Sequence, residues 1–356
     1  MERKILQQLI KEHSESKCNC DLTEGGTGLC LVGSYLEGCI TIDDLIRNLD
    51  IEIDDIEKFR CSNCKDFLLC DKNWDLCDNS QTIKNNTVYN IDGIELLEHI
   101  YEEYGEKSVD MFLCDLPYTY KGKQRITANS WDTPIDLKKF FELTSILLKP
   151  NGVIVLTATN PFSAKLISTL WEMENDEKFK KIDLVKYKYE WIWEKDNGSN
   201  FVHVKHQPFR VHEQVLVFGK SATTYNKKGE YMCYNPQFTY STPYVMKRDM
   251  SDVDNLEGFK GRTDTNNKDG KRYPRSVQKF NLERGLHPTQ KPVDLFSYLI
   301  KTHCPQNGLV VDICCGSGTT AVASIKTNRK FIANDAEYKY YIITKERIKN
   351  TYKEIK

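Results

Sequence analysis

No stretch of this 356-residue chain approaches the roughly 18–20 consecutive apolar residues that a bilayer-spanning helix requires. The first residues, Met1 to Lys17, lack the apolar core and cleavage pattern of a signal peptide. Both absences lead us to expect a cytoplasmic protein with no membrane partner, in which structural disulfides do not form. A phosphate-cradling Gly-x-x-x-x-Gly-Lys-Ser/Thr run is missing, which argues against a P-loop nucleotide hydrolase. No internal repeat of fixed period is present, so the chain is not a solenoid or propeller. Net charge is scarce as well. Fifty Lys and Arg against 51 Asp and Glu leave −1, which at first sight argues against a nucleic-acid partner.

The charge is unevenly placed. Residues 1–80 hold 9 basic and 17 acidic residues, a net of −8, and the remaining 276 hold 41 and 34, a net of +7. An acidic head therefore hides a basic body, and a basic body suits a polyanion. The 13 cysteines divide the same way, with eight between Cys18 and Cys77. Within the head, Cys61 and Cys64 have the two-residue gap that lets two thiolates grip one ion, and Cys70 and Cys77 complete a candidate zinc set. The alternative is a small loop-rich region with buried free thiols.

Beyond residue 86 the pattern alternates between strands and helices. Strands are expected at Thr87–Ile91, Val109–Cys114, Val153–Ala158, Tyr187–Trp193, Gln214–Phe218, Leu309–Ile313 and Lys330–Asn334. Helices are expected at Gly93–Tyr104, Leu137–Leu148, Phe162–Met173, Pro292–His303, Thr319–Lys326 and Tyr338 to about Tyr352, with a turn at Pro150-Asn151-Gly152. Such alternation predicts an α/β fold with a doubly wound, mostly parallel sheet. Four segments follow: 1–80, the cysteine-rich head; 86–219, one half of the α/β domain; 220–285, an irregular insert; and 286–356, the other half. Residues 220–291 carry 14 basic and 8 acidic residues among many tyrosines. Lys247, Arg248, Arg262, Lys271, Arg272 and Arg275 are the candidate polyanion contacts there.

Two short motifs carry chemistry. Asp312-Ile313-Cys314-Cys315-Gly316-Ser317-Gly318-Thr319-Thr320 joins a strand to a helix, and its glycines permit a sharp turn close to a ligand. Asp335 ends the next strand, about twenty residues on, where an acid can accept from both ribose hydroxyls. On this motif alone a dehydrogenase remains open. Asp115-Leu116-Pro117-Tyr118 follows an apolar strand. An exocyclic amine on a base is a poor nucleophile because its lone pair is delocalised. Acceptors at its protons, here the Asp115 carboxylate and the Leu116 carbonyl, free that lone pair. Pro117 stiffens the loop, and Tyr118 can stack on an extruded base.

These motifs, with His287-Pro288-Thr289-Gln290-Lys291-Pro292 between them, resemble the β-group DNA amino-methyltransferases over roughly residues 86–352. In that group the catalytic loop comes first, a target-recognition region second and the cofactor motifs last, which is the order here. Leu147–Val153, Tyr189–Lys195, His212-Glu213 and Val215–Phe218 resemble phage and prophage members. The resemblance implies a Rossmann-like methyltransferase fold, S-adenosylmethionine as donor and double-stranded DNA as partner. It leaves a restriction endonuclease as a candidate second partner. It assigns catalysis to Asp115, Leu116, Pro117 and Tyr118. The cofactor falls to Asp312, Cys314, Gly316, Gly318, Thr319, Thr320, Asp335 and His287, with Thr289 and Lys291 facing its methionine carboxylate. Leu116 stands where the group usually has Pro, Cys314 where it has Phe, and Asp335 where it has Glu. Asp115 favours adenine N6, since N4-cytosine members more often carry Ser there. No Pro-Cys dipeptide occurs, which argues against cytosine carbon-5 chemistry. An N4-cytosine enzyme, an RNA or protein methyltransferase and a non-catalytic DNA-binding regulator are the alternatives.

Overall fold

A computed structural model of the protein describes residues 83–118, 134–198, 200–224, 229–247 and 265–355. The candidate zinc ligands Cys61, Cys64, Cys70 and Cys77 lie outside the described residues, as do Arg248 and Arg262. In chain order, the first half holds β1 (Thr87–Tyr89), α1 (Gly93–Tyr104), β2 (Val109–Cys114), α2 (Leu137–Leu147), β3 (Leu148–Ala158), α3 (Phe162–Glu174), β4 (Lys186–Glu194) and β5 (His212–Gly219). The insert contributes β6 (Thr239–Tyr240), β7 (Tyr244–Met246), β8 (Thr265–Asn267), β9 (Lys271–Arg272) and β10 (Val277–Lys279). The second half holds α4 (Val293–His303), β11 (Leu309–Asp312), α5 (Thr319–Lys326), β12 (Lys330–Asn334) and α6 (Tyr338–Ile355).

The main sheet runs β1-β12-β11-β2-β3-β5-β4-β10. β5 is antiparallel to both its neighbours, and the other pairs are parallel. β2 is buried along all six residues, as a central parallel strand must be when both its faces are covered. Its side chains alternate between two cores. Phe112, with Ile154 and Leu156 of β3, packs against Leu96, Leu97 and Ile100 of α1 and Phe140 and Phe141 of α2. Met111 and Leu113, with Val153 and Val155, pack against Phe296, Leu299 and Ile300 of α4. The two-residue period of the strand thus produces helices on both faces.

The expected turn at Pro150–Gly152 is a bulge inside β3. Val109 pairs with Leu148 but Met111 pairs with Val153, so residues 149–152 loop out opposite Asp110. Lys149 Nζ reaches Asp110 Oδ2 at 2.8 Å and closes that bulge. The described part of the insert carries two small ladders, β6 with β9 and β7 with β8. It then returns to the main sheet, where β10 pairs with β4 and Trp193 Nε1 donates to Phe280 O at 2.8 Å.

The chain leaves β2 toward β3 and leaves β11 toward β12, in opposite directions. β11 and β2 are adjacent, with Val310 beside Met111 and Val311 beside Phe112. A crevice opens at the carboxyl ends of two strands related in this way. Asn334, fully buried at the end of β12, fastens the neighbouring strand ends. Its Nδ2 donates to Ile91 O and Ile313 O, both at 3.0 Å, and its Oδ1 accepts from Ile91 N at 3.1 Å. Asn334→Ala strands those backbone groups without partners. We expect a loss of about 2 kcal/mol, read as a lower midpoint of chemical denaturation; an unchanged midpoint would show that water replaces the amide.

Candidate functional site

A cavity of about 510 Å³ fills the crevice, a size suited to a nucleoside-sized ligand. It is lined by Asp115, Leu116, Pro117 and Tyr118 from the loop after β2, and by Asp312, Cys314, Gly316 and Thr319 from the turn after β11. Asp335, His287, Thr289 and Lys291 line it as well. Every residue expected in the catalytic loop is there, and eight of the ten expected cofactor residues. The other two support the wall. Gly318 caps α5 with φ +80°, and a side chain there would strike Thr344 of α6 within 2.6 Å. Thr320 donates its hydroxyl to Asp312 Oδ2.

The glycine turn is held from behind by α6. Thr344 Oγ1 donates to Gly316 O at 2.9 Å, and Arg347 Nη1 donates to Ser317 O and Thr319 Oγ1, both at 3.2 Å. Asp335 accepts from Gly316 N at 2.8 Å on one oxygen and from Glu337 N at 3.0 Å on the other. Burial pushes its carboxyl up to about 6, and burial pushes Asp312 up to about 7.

The Asp115 carboxylate has three side-chain partners. Oδ1 accepts from Thr157 Oγ1 and, at 2.9 Å, from Tyr118 Oη. Oδ2 is paired with Lys291 Nζ. Lys291 also lies 3.6 Å from Glu213 Oε2, and Glu213 is paired with Lys195. Burial alone would push the Lys291 ammonium down; the Asp115 and Glu213 carboxylates outweigh it and hold it above its ordinary value. Lys291 therefore faces two protein carboxylates here, where the resemblance assigns it to the carboxylate of a ligand. Tyr118 is held well above its ordinary value, chiefly by burial, and remains a hydrogen-bond donor.

The departures from the family pattern have structural roles. Leu116 is 1% exposed and anchors the loop in the core. Cys314 Sγ donates to Asp115 O at 3.4 Å, tying the two loops together across the crevice. A hydrogen bond that its thiol makes to Cys114, and then burial, push Cys314 up, and burial does the same for Cys114 and Cys315. All three stay neutral, unlike a nucleophilic thiolate.

Thr157, Lys195, Glu213, Thr344 and Arg347 were not singled out for a role by sequence reasoning. Lys195 and Glu213 do lie in segments resembling the family. Thr344 and Arg347 carry no signal beyond a helical period. In the insert, Lys271 Nζ sits 3.7 Å from the centre of the Phe238 ring and Arg272 4.6 Å from that of Tyr244, so both brace the small ladders. Lys247 and Arg275 are exposed. No group of three or more His, Cys, Asp or Glu side chains among the described residues could hold a metal ion. Nor is any helix among the described residues long and apolar enough to cross a membrane.

Residues 109–346 match the family profile described as DNA methylase, of the N6/N4 type. The chain belongs to the DNA methylase family. Its members here are S-adenosylmethionine-dependent DNA amino-methyltransferases. Relatives include the type II methyltransferase M2.MboI of Moraxella bovis, 24% identical over 294 residues covering 76% of this chain and 93% of that one. The type II methyltransferase M2.LlaDCHI of Lactococcus lactis subsp. cremoris is 24% identical over 282 residues, 74% and 90% of the two chains. Among solved structures, PvuII DNA methyltransferase (cytosine-N4-specific) aligns with a TM-score of 0.48 at 17% identity, over 77% of this chain and 93% of that one. The donor set fits a methylase cofactor. Each Asp335 oxygen carries one backbone N–H and keeps an acceptor position, which suits a pair of vicinal hydroxyls.

The raised acids give a test of the site's electrostatics. A carboxyl favoured in its protonated form by folding stabilises the protein below its unfolded value near pH 4, and that contribution is lost as pH rises through the folded value. For Asp312 the window runs from about 4 to about 7. Asp312→Asn removes this slope, on the order of a few kcal/mol. The neutral amide resembles the protonated acid, so thermal midpoints of wild type and variant should lie closest near pH 4 and separate toward neutral pH as wild type loses stability; parallel curves would exclude Asp312 as the source.

Proposed function

We propose that this protein transfers a methyl group from S-adenosylmethionine to the N6 amine of an adenine flipped out of double-stranded DNA. The observation that carries the reading is the convergence of the Asp115–Tyr118 loop and the glycine turn on one cavity. Asp335 accepts the ribose hydroxyls, and Gly316, Gly318, Thr319 and Thr320 shape the turn beneath them. When bound, the cofactor supplies an electrophilic methyl group on a sulfonium sulfur.

The protein's task is to present the amine. Asp115 Oδ1 already holds two donors and Oδ2 one, so Oδ2 keeps the acceptor position for an amine proton. The Leu116 carbonyl takes the other. Both acceptors match the positive charge that grows on nitrogen as it attacks. Orientation contributes the rest of the acceleration. Phe162 stacks on one face of the Tyr118 ring, with centroids 5.3 Å apart and 25° between planes; the target base takes the other face. The catalytic loop preceding the glycine turn along the chain supports placement in the β-group. An aspartate at position 115 supports adenine. Residues 220–285 serve as the target-recognition region between two halves of the methyltransferase domain, 86–219 and 286–356.

Mixed-sequence DNA methylated with labelled cofactor, followed by nucleoside analysis, tests the reading. N6-methyladenine is expected; N4-methylcytosine would reassign the base, and no incorporation would remove the enzyme reading. Asp115→Ala should lower the transfer rate by roughly 10²–10³-fold or more while cofactor affinity by calorimetry holds; retained transfer would misplace the catalytic loop. Removing charge at Lys247 and Arg275 should weaken DNA binding and reduce the salt slope by about one for each phosphate that is no longer neutralised. An unchanged slope would place the DNA surface elsewhere.

A further inference from the structure

Between β4 and β5 lies a loop, described at residues 195–198 and 200–211, that includes Phe201-Val202-His203-Val204-Lys205-His206. Its ends reach the cavity. Lys195 and Arg210, near its two ends, both line that cavity, and Arg210 Nη1 donates to Thr159 Oγ1 at 3.2 Å. It is braced from within. Asn200 Oδ1 accepts from Arg210 N at 2.8 Å, and Asn200 Nδ2 donates to Pro208 O at 3.0 Å. The Phe209 ring lies so close to Gly198 that a Cβ there would come within 2.5 Å of it.

This braced loop presents apolar side chains to solvent. Phe201 is 75% exposed and Val202 80%, on a single 3-10 turn, Phe201–His203. Lys205 and Arg210, on the same loop, are exposed as well. A basic loop alone would only hold a phosphate backbone. An apolar tip on a loop that also carries basic residues, and whose ends line a cavity suited to a base, fits a second task. A base leaving the stack exposes the ring faces of its neighbours to water. Apolar side chains inserted at such a step cover those faces and hold the duplex open.

We propose that Phe201 and Val202 form a wedge that enters the base stack as the target base leaves it, with Lys205 and Arg210 on the adjoining phosphates. The proposal rests on the reading that the substrate is a flipped base in duplex DNA. Its partner is a base step of that duplex beside the target.

The test uses the full chain carrying Phe201→Ser and Val202→Ser together. Both positions are exposed, so the thermal midpoint should stay within a degree or two of wild type, by the small effects usual for surface changes. Two duplexes carry the methylated site, one with the target base paired and one with it opposite an abasic position, already unpaired. The variant should lose roughly tenfold or more in kcat/KM on the paired duplex and less than about twofold on the unpaired one, because only the first must be opened. Phe201→Leu, which keeps an apolar tip, should stay near wild type on both. No loss on the paired duplex, or equal loss on both, overturns the wedge. Failure of wild type to methylate either duplex overturns the DNA-methylation reading itself, and the wedge falls with it.

Discussion

The pairing of β11 with β2 is the interaction on which the rest depends. Val310 and Val311 lie beside Met111 and Phe112 although about two hundred residues separate them. That one ladder sets the turn after β11 next to the loop after β2. Cys314 Sγ meets Asp115 O across the gap only because the two strands end level. Apolar burial on both faces holds the ladder, since every residue of β2 and β11 is buried. A slip by one residue would exchange the two cores and send Met111 to the face that Phe112 fills.

Within the crevice the governing constraint is charge in a dry place. Asp115, Glu213, Lys195 and Lys291 form a chain of alternating sign with side chains between 7% and 23% exposed. Two carboxylates and two ammonium groups sum to zero, and each ion touches at least one of opposite sign. Ions buried in this way persist only when paired and hydrogen-bonded. Thr157 and Tyr118 supply the remaining hydrogen bonds to Asp115. The Asp115 carboxylate is thus held in position by three neighbours from three separate segments of the chain.

The regular part of the fold was legible because periodicity is local. α5 and β12 occupy the same residues that the apolar pattern marks, Thr319–Lys326 and Lys330–Asn334. The Pro150-Asn151-Gly152 turn was legible as a break but not as a bulge, because only the partner strand shows that β3 continues through it. The motif residues of the site were legible for the same local reason. Their supports and their pairings with one another were not. Thr157 lies 42 residues from Asp115 and Lys291 lies 176 residues from it, and nothing in a threonine or a lysine announces so distant a partner. Lys271 and Arg272 stand out in sequence as candidate polyanion contacts; the Phe238 and Tyr244 rings beneath them are set by the small ladders of the insert.

β1 and α6, the first strand and the last helix described, are neighbours. Val88 packs in one cluster with Tyr341 and Ile348, and Tyr89 O accepts from Asp335 N at 3.1 Å. β1 is an edge strand of the sheet, so the backbone of Asp335 is fastened to the outermost strand while its carboxylate is fastened to the glycine turn. Peeling that edge away would slacken the acid of the crevice while leaving β11 and β2 in register.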